Sequence, residues 1–283
     1  MDFTDAQIDR YARHLVLDEI GEQGQEALAG ARVLVIGAGG LGSPLLLYLA
    51  AAGVGTLGVI DDDRVDLANL QRQVIHGTDD IGRAKTESAA ARLRQLNPEI
   101  VVQPHEDRLT AANALDIIGQ YDLVADGSDT FATRYLVNDA CHLAGRSLVS
   151  ASIMRFDGQL STFRSHLGHG ADGRQNPCYR CLYGDQPEAG RDSCADVGVL
   201  AMLPGVMGSL QATEVVKELL DLGESMAGRL LLYDALAMRF QTITLPADPD
   251  CPLCGRTPRI HALETAVYDT AAACSPASEG GQG

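Results

Sequence analysis

A glycine-rich turn between two apolar runs is the first stretch of this chain whose residues could do chemistry. An apolar run ends at Gly37, and Gly39 and Gly42 follow at the spacing of a dinucleotide-binding turn. A second apolar run ends at Asp61, about 20 residues further on, where an acid of this pattern is expected. Glycines there let backbone N–H groups approach a phosphate, and the helix N-terminus that follows favours an anion. A strand, a glycine turn, a helix and an acid in this order predict a nucleotide site.

The same stretch supplies further candidate contacts to a nucleotide. The Asp61 carboxylate is placed to accept hydrogen bonds from ribose hydroxyls, and Gly40 and Asp63 belong to the same predicted surface. Asn69 and Gln73 are expected to help orient the phosphates.

Two cations close to the turn indicate which nucleotide binds. Arg72 and Lys85 would hold the charge of a triphosphate, which an enzyme that splits ATP requires. A hydride-transferring enzyme has no special use for these cations. An NAD-dependent oxidoreductase that uses the same glycines nevertheless remains an alternative, as does a nucleotide-binding scaffold without activity.

Two Cys-x-x-Cys pairs predict a metal site. Cys178 and Cys181 form the first pair, and Cys251 and Cys254 form the second, each close to a proline. Four thiolates suit a tetrahedral structural zinc, which leaves no open position for catalysis and would tie the end of the chain to its middle. A redox pair is the alternative for either motif alone.

The chain also resembles the MoeB/ThiF family of E1-like adenylyltransferases, also called HesA/MoeB/ThiF. The resemblance covers residues 11 to 255, and four motifs carry it in the order that the family has. They are Arg-Tyr-Ala-Arg-His (10–14), the glycine turn (37–42), Asn-Leu-Gln-Arg-Gln (69–73) and Gly-Arg-Ala-Lys (82–85).

The resemblance implies roles for three more residues. Asp129 matches a catalytic aspartate that binds Mg²⁺, although Thr130 replaces the usual asparagine after it; a helix cap is the alternative role for Asp129. Arg13 matches an arginine that reaches the ATP phosphates of the other subunit, which implies a homodimer. Cys194 matches a cysteine of the crossover loop that in some relatives joins covalently to the carrier; an unreactive thiol is the alternative.

The resemblance further implies the reaction and the partners. ATP would adenylate the C-terminal glycine of a ubiquitin-like sulfur carrier protein that ends in Gly-Gly, releasing pyrophosphate and preparing a thiocarboxylate. Some relatives carry a C-terminal rhodanese domain, for which this chain has no room. The sulfur is therefore expected from a separate cysteine desulfurase or rhodanese.

Composition and charge exclude several classes of protein. The chain has 283 residues, is 46% hydrophobic and carries a net charge of −16. The negative charge disfavours binding to nucleic acid or to an anionic membrane. No apolar run is long enough to span a membrane, and the acidic N-terminus has no signal core, so a cytoplasmic protein is expected.

The apolar periodicity predicts an α/β fold with a Rossmann-like nucleotide-binding half. Strands and helices alternate up to about residue 151, and a hairpin then extends the mixed sheet with antiparallel strands. The pattern predicts a capping box of Thr4 and Gln7 at the first helix, later helices over 85–96 and 206–222, and strands over 100–103 and 147–151. The expected parts are helices for dimer contact (1–30), the ATP-binding part (31–150), a carrier-binding part with zinc (151–258) and a tail (259–283), largely disordered from about 271.

Overall fold

The structure is a computed structural model that describes residues 3–170, 173–184, 198–266 and 268. Within these residues the helices are α1 (Asp5–Leu15), α2 (Gly21–Gly30), α3 (Gly42–Ala52), α4 (Lys85–Leu96), α5 (Ala114–Ile118), α6 (Phe131–Ala144), α7 (Tyr179–Tyr183) and α8 (Leu203–Leu220). The strands are β1 (Arg32–Ile36), β2 (Thr56–Ile60), β3 (Val101–His105), β4 (Leu123–Asp126), β5 (Ser147–Met154), β6 (Asp157–Phe163), β7 (Arg229–Asp234) and β8 (Arg239–Thr244). None of the described helices is long and apolar enough to cross a membrane.

These strands form one sheet in the order β3-β2-β1-β4-β5-β6-β7-β8. Neighbours from β3 to β5 are parallel, and β6, β7 and β8 are added antiparallel. The Rossmann-like fold with an antiparallel extension is therefore confirmed. The chain passes from β3 across the sheet to β4, so the last residues of β1 and β4, Ile36 and Asp126, lie side by side. A crevice at such a switch in strand order is where open α/β sheets bind ligands.

Strand β1 is apolar on both faces because helices cover both sides of the parallel half. Val33 and Val35 lie in the buried cluster that contains residues of α3 and α8, whereas Leu34 and Ile36 lie in the cluster that contains residues of α6. The alternation of side chains along a strand thus builds two cores from one run of five residues.

Helix ends follow the capping residues of the sequence. The predicted capping box of α1 is present, with the Gln7 N–H donating to Thr4 Oγ1 and the Thr4 N–H donating to Gln7 Oε1. Helix α4 has the predicted bounds. Helix α8 begins at Leu203, three residues before the predicted residue 206, because Pro204 can occupy the first turn of a helix, where its missing N–H is not needed.

Two strands are longer than predicted. Strand β3 was expected to end at Gln103 but continues through Pro104, which is tolerated because β3 is at the edge of the sheet. Strand β5 was expected to end at Ala151 but continues to Met154, because β6 pairs with it beyond the end of β4.

Candidate active site and metal centre

A cleft of about 410 Å³ opens at the crevice between β1 and β4. It brings together most of the predicted nucleotide contacts, which extend along the sequence from Gly37 to Asp129. The predicted residues that line it are Gly37, Gly39, Gly40, Asp61, Asp63, Arg72, Gln73, Lys85 and Asp129.

The glycine turn is fixed to the end of β2 through Asp61. The Ala38 N–H donates to Asp61 Oδ2 at 2.8 Å, and the Asp63 N–H donates to Asp61 Oδ1 at 2.9 Å. Burial raises the pKa of Asp61, while Lys85 and these two N–H groups act in the opposite direction. Gly37 has φ of 90°, which only glycine adopts at little cost, so the sharp turn depends on it.

A close approach explains Gly42, which does not line the cleft. A Cβ at this position would lie 1.9 Å from the Gly37 carbonyl oxygen. No side chain fits there, and the first turn of α3 can therefore pack directly on the glycine turn.

Lys85 holds a cation at the cleft from a buried position. Its residue is only 5% exposed, and its Nζ donates to the exposed Asp63 carboxylate at 2.7 Å. The Lys85 N–H also donates to the Asp63 carbonyl oxygen. Because the side chain is almost fully buried and paired with Asp63, the ammonium has a restricted position in the wall of the cleft.

Arg72 and Gln73 reach the turn from the loop after β2. The Arg72 guanidinium donates to the Ala68 carbonyl oxygen at 3.2 Å, and its Cγ would contact a Cβ at Gly40. Gln73 is buried, its Nε2 lies beside Gly39, and its Oε1 has no partner among the described residues. The Nε2 amide group, which lies beside Gly39, is the part of Gln73 that can donate to a phosphate.

Asp129 is exposed at the cleft and is not the N-cap of the helix that follows it. Thr130 is the N-cap of α6, because the Thr133 N–H donates to Thr130 Oγ1 at 3.2 Å. This observation excludes the cap alternative for Asp129 and gives position 130 a structural role that threonine can fill.

Arg13 and Asn69 are not among the described residues that line the cleft. Arg13 is on the exposed face of α1, and Asn69 closes a short 3-10 turn in which its Oδ1 accepts the Asp66 N–H at 3.1 Å. Cys194 and the tail from residue 271 lie outside the described residues.

The cleft also contains residues that sequence reasoning did not identify. Arg134 of α6 lines it, and its Nε and Nη2 donate to the Ser128 carbonyl oxygen at 3.1 and 2.7 Å. Asp107, Arg108 and Leu109 form another part of the wall. They follow β3. Their position at the carboxyl end of a parallel strand is the sequence feature that could have identified them as cleft residues. Arg134 sits in a helical pattern and had no comparable signal.

The four predicted metal ligands form one compact cluster. The Sγ atoms of Cys178 and Cys251 are 3.6 Å apart, and those of Cys181 and Cys254 are 3.5 Å apart. All four sulfurs lie within 4.8 Å of one another. Tetrahedral bonds of zinc to sulfur, at about 2.3 Å each, require separations of about 3.8 Å. The donor set and its spacing therefore fit a zinc ion.

The cysteine cluster is joined to the helix that starts at the cleft. Arg180, between the first two cysteines, donates to both carboxylate oxygens of Asp139 on α6 at 2.8 and 2.6 Å. Both side chains are at most 5% exposed, and the Arg180 guanidinium lies 4.9 Å from the Tyr135 ring centroid. Tyr268 donates to Asp139 Oδ2 at 2.7 Å, so residues after the second cysteine pair also reach α6.

Solved structures share this fold. MccB of E. coli in complex with MccA-N7isoASN superposes with a TM-score of 0.75 over 89% of this chain and 76% of that chain. Its sequence is 22% identical, so this likeness concerns the fold alone.

Sequence relatives are much closer. The sulfur carrier protein adenylyltransferase of Thermus thermophilus is 50% identical over 259 residues, which are 91% of this chain and 94% of the relative. The SAMP-activating enzyme E1 of Haloferax volcanii is 51% identical over 250 residues, 88% and 89% of the two chains. The pattern of the ThiF family matches residues 11–253. This chain therefore belongs to the ThiF family.

Proposed function

We propose that this protein uses ATP to adenylate the C-terminal glycine of a ubiquitin-like sulfur carrier protein, giving an acyl adenylate and pyrophosphate. The observation that carries the proposal is the cleft itself: two cations, Arg72 and Lys85, stand beside a glycine turn and an exposed Asp129. The names of the relatives support the same activity. The adenylate prepares the carrier for conversion to a thiocarboxylate by sulfur from a separate protein, a cysteine desulfurase or a rhodanese.

The chemistry explains why no general base is needed. The carrier's terminal carboxylate is ionised near neutral pH and can attack the α-phosphorus directly. The obstacle is repulsion between two anions. Arg72 and Lys85 lower it by holding the phosphates, and Asp61 fixes the ribose; Gln73, with Asn69 behind it, orients the phosphates. Mg²⁺ held by Asp129 would supply further charge neutralisation as pyrophosphate leaves.

The position of Arg13 is consistent with a dimer. Arg13 is exposed on α1 and does not line the cleft of its own chain. We propose that it completes the cleft of a second copy, so the N-terminal helices (1–30) form the dimer contact. The ATP-binding part is then residues 31–150.

The antiparallel half, residues 151–258, is proposed to receive the carrier. The hairpin between β7 and β8 presents apolar side chains to solvent, with Leu236 75% and Met238 73% exposed. Met154 and Val199 line the cleft on the same side as this half of the sheet. A carrier docked there could extend its small Gly-Gly tail toward the α-phosphate.

The experiment that tests the activity is ATP–pyrophosphate exchange with each candidate carrier. Asp129→Ala should abolish carrier-dependent exchange while circular dichroism and zinc content stay unchanged; an NAD titration should give no binding. Exchange at the wild-type rate by Asp129→Ala removes that residue from the mechanism. No exchange by the wild-type protein with any carrier, together with tight NAD binding, would favour the oxidoreductase alternative.

Two further measurements test the composite site and the metal. Verified heterodimers of Arg13→Ala and Asp129→Ala subunits should recover part of the lost activity, because one of their two sites is complete; no recovery contradicts a role for Arg13 across the dimer. Metal analysis of freshly purified protein should find one zinc per chain, and less than half of that contradicts the four-thiolate site. Loss of a carrier adduct in Cys194→Ala would assign the thiol a covalent role.

A further inference from the structure

His76 is a buried residue that contacts the glycine turn, the loop after β2 and helix α4, and the proposed reaction gives it no role. Its residue is 7% exposed. One ring nitrogen, Nε2, lies 2.9 Å from the Ala38 carbonyl oxygen of the glycine turn, and the other, Nδ1, lies 2.8 Å from Ser88 Oγ on α4. The His76 N–H also donates to the Gln73 carbonyl oxygen.

The hydrogen-bond partners fix the tautomer of the imidazole. A carbonyl oxygen can only accept, so Nε2 carries the proton and donates to Ala38. Nδ1 then accepts the Ser88 hydroxyl proton. Burial lowers the pKa of His76; Lys85 acts in the same direction, whereas the Ala38 hydrogen bond and Asp80 oppose it. The lowered pKa favours the neutral ring of this arrangement.

The bond to Ala38 determines where the next N–H points. A trans peptide is planar, so the Ala38 carbonyl and the Gly39 N–H point in opposite directions. Because the carbonyl is directed at the buried imidazole, the Gly39 N–H is directed away from it, and Gly39 lines the cleft. Among the described residues none accepts a hydrogen bond from this N–H.

A second bond restrains the preceding peptide. The Ala38 N–H donates to Asp61 Oδ2 after the end of β2, and the Ala38 carbonyl oxygen accepts from His76 Nε2. Hydrogen bonds therefore hold the peptide groups before and after Ala38. The backbone N–H of His76 donates to the Gln73 carbonyl oxygen, and its imidazole contacts Ser88 of α4, the helix that begins at Lys85.

We propose that His76 is a positioning residue for the nucleotide: through Nε2 it orients the Ala38–Gly39 peptide so that the Gly39 N–H donates to a phosphate oxygen of ATP. The inference rests on the proposed function, because it requires ATP in this cleft. In this role the imidazole supports ATP binding without contacting ATP.

The test compares substitutions that keep different halves of the imidazole. His76→Gln places a side-chain N–H near the position of Nε2 and can keep the Ala38 bond, whereas His76→Asn reaches only the position of Nδ1 and loses it. Ser88→Ala is the matched control, because it removes the hydrogen bond at His76 Nδ1 and leaves the hydrogen bond from Nε2 to Ala38 in place. Calorimetric titration of the full-length proteins with ATP and Mg²⁺ gives the dissociation constants, and thermal unfolding reports stability.

We expect His76→Asn to bind ATP about tenfold more weakly, as the loss of one oriented donor predicts. His76→Gln and Ser88→Ala should remain within about threefold of the wild type, and the KM for the carrier should not change in any variant. A merely structural role would weaken binding in proportion to the loss of melting temperature.

Two results overturn the inference. They are equal ATP affinity in all four proteins, and equal losses in His76→Asn, His76→Gln and Ser88→Ala. Failure of the proposed function is distinguishable, because the wild-type protein itself would then not bind ATP.

Discussion

The buried ion pair of Arg180 and Asp139 gives a prediction whose size follows from the structure. Arg180→Ala removes a bidentate partner from a carboxylate that has no exposed surface. Among the described residues Tyr268 and Asn138 would still donate to Asp139, at 2.7 and 3.0 Å, and neither carries a positive charge. Breaking a buried pair from one side costs about 3–5 kcal/mol of unfolding free energy.

The expected loss is large compared with the stability of a folded protein, which is about 5–15 kcal/mol. For a chain of this size about 2 °C of melting temperature corresponds to 1 kcal/mol, so Arg180→Ala should melt about 6–10 °C lower. Thermal unfolding followed by circular dichroism measures the shift, and urea unfolding gives the free energy directly.

The matched control is Arg256→Ala, another arginine beside a cysteine pair. Arg256 is 3.9 Å from Asp250, and both side chains are at least 75% exposed. Surface pairs of this kind contribute about 0–1 kcal/mol, so the control should melt within about 2 °C of the wild type. An Arg180→Ala shift as small as that of the control would refute the account of the buried pair.

Other regions of the chain give further predictions. Gly58→Ala should destabilise the protein by about 1–3 kcal/mol in urea unfolding, because the new Cβ would lie 2.3 Å from the Tyr121 hydroxyl. Gly30→Ala, in open space, should not destabilise it, and a smaller loss at Gly58 than at Gly30 would contradict the packing argument. Burial lowers the pKa of His105, so the unfolded chain binds more protons, and the unfolding free energy should fall as the pH decreases through about 6.5. His105→Gln should reduce this pH dependence, and an unchanged slope would exclude His105 as a source. Cys181→Ser should lower the zinc content measured by atomic emission, whereas Cys141→Ala, buried in the other core, should keep it; equal zinc in both variants argues against the cluster as the metal site.

The parallel half of the fold was predictable because its local signals agree with its packing. The apolar run before Gly37 forms β1, which pairs with β2. The glycine turn after β1 and Asp61 after β2 line the same cleft, as their order in the sequence predicts. The cysteine pairs were equally readable, because the chemistry of four thiolates needs no knowledge of the fold.

Other features depend on contacts that sequence cannot display. The turn between β5 and β6 contains Arg155 at φ of 53°, where glycine or asparagine would have been the recognisable residue. The length of β5 depends on pairing with β6. His76 and Arg134 donate to carbonyl oxygens of the glycine turn and of the loop before α6, and neither residue belongs to a recognisable motif.

The separation of the two cysteine pairs along the chain has a consequence for the unfolded protein. Cys178 and Cys251 are 73 positions apart, and α8, β7 and β8 lie between them. An ion that keeps both pairs coordinated in the unfolded chain would close this segment into a ring, and a ring of that size costs the unfolded chain about 4 kcal/mol of conformational entropy at 25 °C. This effect acts on the unfolded chain and changes no contact of the folded protein. Removal of such an ion is therefore expected to lower the free energy of unfolding even where the folded shape stays the same.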